Sequence, residues 1–64
     1  MPATTLDLVV KNIEATRDSI SRALIDGAAA DYAAYRAMCG EIRGLSLACS
    51  YIEDLVRKME QDDE

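Results

Sequence analysis

A chain of 64 residues, half of them apolar, with a formal charge of −5 is one small domain. It is too apolar to be a disordered acidic tail and too acidic for general binding to DNA or RNA, which rests on neutralising phosphates with lysine and arginine. Two cysteines without a Cys-x-x-Cys spacing, and no histidine, leave no ligand set for a metal such as zinc and no disulfide framework.

The N-terminus, Met1-Pro2-Ala3-Thr4-Thr5, has no basic region followed by an apolar stretch, and no apolar run reaches membrane length, so a soluble protein made in the cytoplasm is expected. The first helix is expected from about residue 5 to 26. Thr4 or Thr5 can cap its free amides, and Asp7 suits the positive end of its dipole. Within it Leu6, Val9, Ile13, Thr16, Ile20 and Ala23 alternate by three and four, with Val10 and Leu24 widening the stripe. Gly27 after Asp26 is the strongest break, which places a turn at about 27–31. Asp31 is a good cap for a second helix at about 32–61, roughly 45 Å long at 1.5 Å per residue. So short a connection makes the helices antiparallel neighbours. One continuous bent helix through Ala28, Ala29 and Ala30 is the rival picture, disfavoured by Gly27 and the Asp31 cap.

The second helix carries the clearest pattern, a seven-residue apolar repeat through Tyr35, Met38, Ile42, Leu45, Cys49, Ile52, Val56 and Met59. Those positions fall on one narrow stripe that must be buried against another helix. Gly40, Gly44 and Ala48 recur every four residues, extended toward the turn by Ala33 and Ala37. Each glycine costs about 1 kcal/mol of helix propensity relative to alanine, so a compensating close contact is expected, either with the first helix or with another subunit. A G-x-x-x-G pattern by itself is weak evidence outside membranes.

Tyr32 and Tyr35 suit core-edge packing near the turn, whereas Tyr51 lies off the stripe and is the better candidate for touching a partner. Cys39 and Cys49, about 15 Å apart along a helix, read as small buried hydrophobes. Asp7 to Lys11, Asp18 to Arg22, Glu53 to Arg57 and Asp54 to Lys58 each place an acid four residues before a base, the favourable orientation, worth about 0.2–0.5 kcal/mol per pair. Arg36, Arg43 and Arg57 draw a sparse basic line, with Glu53 expected to neutralise Arg57. The final Gln61-Asp62-Asp63-Glu64 sets negative charge at the negative end of a helix dipole, so an acidic frayed tail is expected at 62–64. No catalytic, cofactor or metal constellation stands out, and a hairpin this small offers no deep pocket.

The segment Asp31-Tyr32-Ala33-Ala34-Tyr35-Arg36, then Cys39-Gly40-Glu41-Ile42-Arg43-Gly44-Leu45 and Ile52-Glu53-Asp54-Leu55, resembles a set of small helical proteins of podovirus-type tailed bacteriophages, often encoded near head and portal genes. It covers about half the chain through small residues and heptads. The resemblance implies a phage setting, in host cytoplasm or virion, and carries no activity or site residues with it. A looser likeness is to Rop-type regulators, which pair two helical hairpins into a four-helix bundle and bind RNA.

The reading is therefore an all-α, antiparallel two-helix hairpin that assembles into a helical bundle. Its expected role is that of a non-enzymatic interaction module without cofactor, such as a virion-associated or assembly accessory protein. The expected interface comprises Tyr35, Met38, Gly40, Ile42, Gly44, Leu45, Ala48, Cys49, Tyr51, Ile52, Val56 and Met59. Expected partners are a second copy or higher homo-oligomer and a larger phage or host protein. The alternatives are an early phage regulator that inhibits a host enzyme with its acidic surface, and a Rop-like RNA-binding bundle.

Overall fold

The computed structural model describes residues 5–62. Helix α1 spans Thr5–Ile25 and helix α2 spans Tyr32–Asp62, and the two pack as an antiparallel all-α hairpin. The expected cap at Thr4 and, beyond Asp62 at the end of α2, the acidic tail lie outside the described residues.

The turn forms where backbone chemistry requires it. Gly27 takes φ +87°, a left-handed conformation that costs a residue with a Cβ about 1–2 kcal/mol. With Gly27 so placed, its N–H donates to the Leu24 carbonyl at 3.1 Å and the Ala28 N–H donates to the Ala23 carbonyl at 2.9 Å. This is the Schellman arrangement, which satisfies carbonyls that the end of a helix otherwise leaves free. Across the turn, Asp31 restarts the helix. Its Oδ1 accepts from the Ala34 N–H at 2.8 Å, and its carbonyl accepts the first helical bond from Tyr35 at 3.0 Å.

Between the helices the core is thin. Among the described residues the buried apolar side chains are Val10 and Cys49, and the Cys49 thiol points at the Val10 carbonyl with 4.0 Å between Sγ and oxygen. Around that pair Leu6, Ile13, Ile20 and Leu24 on α1 and Met38, Ile42, Leu45, Ile52 and Val56 on α2 are half-buried. The inner seam of α1 is thus rotated from the stripe expected through Val9, Thr16 and Ala23. Val9 and Thr16 are exposed, Ala23 is half-buried, and the seam runs through the widening positions Val10 and Leu24 together with Arg17. Arg17 fits there because its aliphatic stem packs inward while its Nη1 donates to Ser46 Oγ at 3.3 Å.

The molecule measures 51 × 19 × 12 Å, with a radius of gyration of 15.0 Å against about 11 Å for a compact domain of this length. Its surface of 5119 Å² exceeds by roughly 1,000 Å² the area expected of a compact monomer of its mass. Helix α2 has 31 residues and α1 has 21, so α2 runs on for ten more, about 15 Å of helix.

Candidate interaction surface

Six of the residues expected at an interface, Met38, Ile42, Leu45, Cys49, Ile52 and Val56, are buried or half-buried along the inner seam. Tyr35 and Met59, at the two ends of the same stripe, are 44% and 52% exposed. The remaining four belong to other faces of α2. Gly40, Gly44 and Tyr51 are exposed and Ala48 is half-buried.

The glycines answer the question their cost raised. A Cβ built on Gly40 or Gly44 meets nothing within 4 Å, so α1 is not what the missing side chains make room for.

Helical rotation sorts the rest of the surface into two flanks. Successive residues step about 100° around the axis, so the positions just before the seam residues lie on one flank of each helix. In an antiparallel pair those two flanks face the same way. On α1 this flank holds Val9, Thr16 and Ala23, with Asn12 and Ser19 behind them. On α2 it holds Ala48 and Leu55, then Ala37, Gly44 and Tyr51. From residue 33 to 59 of α2 its charges are Glu41 and Lys58. The opposite flank is charged on both helices, with Lys11, Glu14 and Asp18 on α1 and Arg36, Arg43, Glu53 and Arg57 on α2.

Large apolar side chains stand in solvent at Ile25, Tyr32 and Leu8, off the neutral flank, and at three positions on it. Tyr51 is 66% exposed, Leu55 48% and Val9 38%. Leu47, on the back of α2, is 51% exposed and widens the apolar surface beside Gly44 and Tyr51. Leu47 and Leu55 are not among the contact residues expected from the sequence, and Val9 is exposed although expected on the stripe of α1. The distribution of charge would have found Leu55 and Val9, because a flank that two helices both keep almost free of charge is itself a signal.

The charged flank has a different character. Tyr35, Arg36, Cys39, Gly40 and Arg43 line an open groove of about 310 Å³. Tyr32 and Tyr35 do not wedge into the core edge as expected. They stack on each other at the surface, with ring centroids 6.1 Å apart and planes at 25°. The Tyr35 phenol is pushed above its ordinary pKa, first by its hydrogen bond with Cys39, then by the charge of that thiol and by partial desolvation, with Arg36 pulling the other way. Cys39 is half-buried and Cys49 buried, and both are free thiols.

Around Asp18 and Arg57 the ion pairs differ from the expected acid-before-base set. Arg57 Nη1 lies 3.3 Å from Asp54 Oδ1, so Asp54 rather than Glu53 neutralises it and Lys58 loses its expected partner. Arg17 lies 3.9 Å from Asp18, and Asp18 does not reach Arg22. Asp18, Asp54 and Arg57 are exposed and Arg17 half-buried, and at such solvated positions several rotamers compete within a few tenths of a kcal/mol. Among the described residues, no group of three acidic, cysteine or histidine side chains is gathered as for a metal ion, and no helix is long and apolar enough to cross a membrane.

Comparison with protein-family models, with curated proteins and with solved structures finds no match.

Proposed function

We propose that this chain is a non-enzymatic protein–protein interaction module, which associates with itself and docks on a larger assembly through the apolar surface its hairpin leaves open. The observation that carries this reading is the thinness of the internal core. Two buried apolar side chains, Val10 and Cys49, offset little of the entropy of ordering some sixty residues at about 1 kcal/mol or more each, while several large apolar side chains remain in water. Binding a partner supplies the missing burial. The likeness to podovirus-type phage proteins favours a virion or its assembly line as the setting, with the portal, capsid or scaffold as the larger partner.

Cross-linking mass spectrometry on the tagged chain recovered from its native source tests the proposal. Cross-links to a second copy or to a head protein support it. Recovery of the chain alone, as an uncross-linked monomer, contradicts it.

A second reading, contact with RNA in the manner of Rop-type bundles, is favoured by one observation: Arg36 and Arg43 share a groove with the Tyr35 ring. The net charge of −5 opposes it. Salt-sensitive retention of RNA during purification would bring it forward.

A further inference from the structure

We infer that the neutral flank is the docking surface for a second copy of this chain, with α2 lying antiparallel along α2 of that copy about a two-fold axis near Cys49 and Ser50. This rests on the reading of the chain as an interaction module and names its partner, face and register.

Charge selects the orientation. Glu41 and Lys58 are the charges this flank of α2 carries between residues 33 and 59, and neither joins an ion pair among the described residues. In a parallel arrangement Glu41 would face Glu41 of the other copy at the edge of a drying interface, which costs binding. In the antiparallel arrangement Glu41 of each copy faces Lys58 of the other, and symmetry makes the pair twice.

Shape agrees with the same register. The offset that brings Glu41 to Lys58 also brings Gly44 opposite Leu55 and Ala48 opposite Tyr51. Gly44, with open space above it, and the half-buried Ala48 then receive exposed large residues, twice over by symmetry. This arrangement gives Gly44 a use that nothing inside the hairpin supplies.

An elongated pair of helices leaves surface for such a contact. A stable pair of proteins typically removes about 800 Å² from each partner, and the chain's surface exceeds a compact monomer's by roughly 1,000 Å². The stretch of α2 beyond the reach of α1, which includes Leu55 and Met59, gains a neighbour along its length.

The test combines a charge swap with a distance, both read on the full chain by equilibrium sedimentation and by spin-label spectroscopy. Glu41→Lys and Lys58→Glu should each weaken the dimer about 3- to 10-fold, and the two together should restore it. Gly44→Leu should weaken it by about 100-fold or more while circular dichroism stays helical. A nitroxide at Gln61→Cys, in a Cys39→Ser background with Cys49 left buried, should report a separation of about 35 Å, whereas a parallel dimer would hold the labels within about 20 Å. A dimer indifferent to the swap and to Gly44→Leu, or one with close labels, overturns this interface and leaves the interaction reading standing. A monomer at 100 µM that nonetheless unfolds cooperatively at high temperature overturns both.

Discussion

The two flanks of the hairpin are built from the same two helices, yet they solve different problems. On the charged flank Arg57 finds Asp54 and Tyr35 finds Cys39, so contacts there are local and solvated. On the neutral flank Tyr51, Leu55 and Val9 stand exposed, and glycine sits where alanine would make a better helix. A surface under selection for solubility alone would not keep charge off one side of both helices. The contrast is what the proposed dimer rests on, with the charged flank left to water and the neutral flank given to the second copy.

The largest expected effect comes from breaking the seam that holds the two flanks together. Val10→Asp puts a carboxylate against Cys49, and an unpaired buried charge costs several kcal/mol. That exhausts the roughly 3–5 kcal/mol available to a core of this size, so the far-ultraviolet helical signal should collapse. Asp18→Ala on the charged flank should leave thermal unfolding within about 0.5 kcal/mol of the parent chain.

The turn comes next. Gly27→Ala should cost about 1–2 kcal/mol because φ is +87°, and Asp31→Ala about 1 kcal/mol through loss of the bond to the Ala34 amide. Both are read by denaturant titration as a lower midpoint with unchanged slope.

The glycines sharpen the comparison because propensity and contact pull in opposite directions. Gly40→Ala, on the back of α2, should stabilise the fold by up to about 1 kcal/mol, since the added methyl meets nothing within 4 Å. Gly44→Ala should gain less than Gly40→Ala, because the same methyl enters the contact with the second copy. Equal gains at both positions, measured by thermal unfolding, would break the distinction between the back of α2 and its neutral flank.

The smallest effect is a titration on the charged flank. Since Cys39 raises the Tyr35 pKa, Cys39→Ala should move that phenol's ultraviolet titration midpoint down toward the ordinary tyrosine value. The sign for stability follows. With its folded value above its unfolded one, Tyr35 contributes stability that is fully present below the unfolded pKa and is lost as pH rises through the folded one.

Much of the hairpin was legible in the sequence because its decisive signals are local. Gly27 needs a conformation that few other residues adopt, and Asp31 has one good use before a helix. The α2 stripe from Met38 to Val56 had no competing period. The α1 stripe was ambiguous for a physical reason: Leu6, Ile13 and Ile20 belong equally to a face shared with Val9, Thr16 and Ala23 and to one shared with Val10, Arg17 and Leu24. An arginine in the second set argued for the first. Its bond to Ser46 comes from the other helix and is invisible in a single segment. The surface residues Leu47 and Leu55 were obscured similarly, because a weak second apolar face emerges only once the first is assigned to the partner helix.

The central claim is that this hairpin is half of a larger fold, and its mass in solution tests that claim most directly. Sedimentation equilibrium from low to high micromolar concentration should give twice the chain mass of 7.0 kDa, with the midpoint of thermal unfolding rising with concentration. A mass of 7.0 kDa throughout that range, with a concentration-independent cooperative transition, would contradict it.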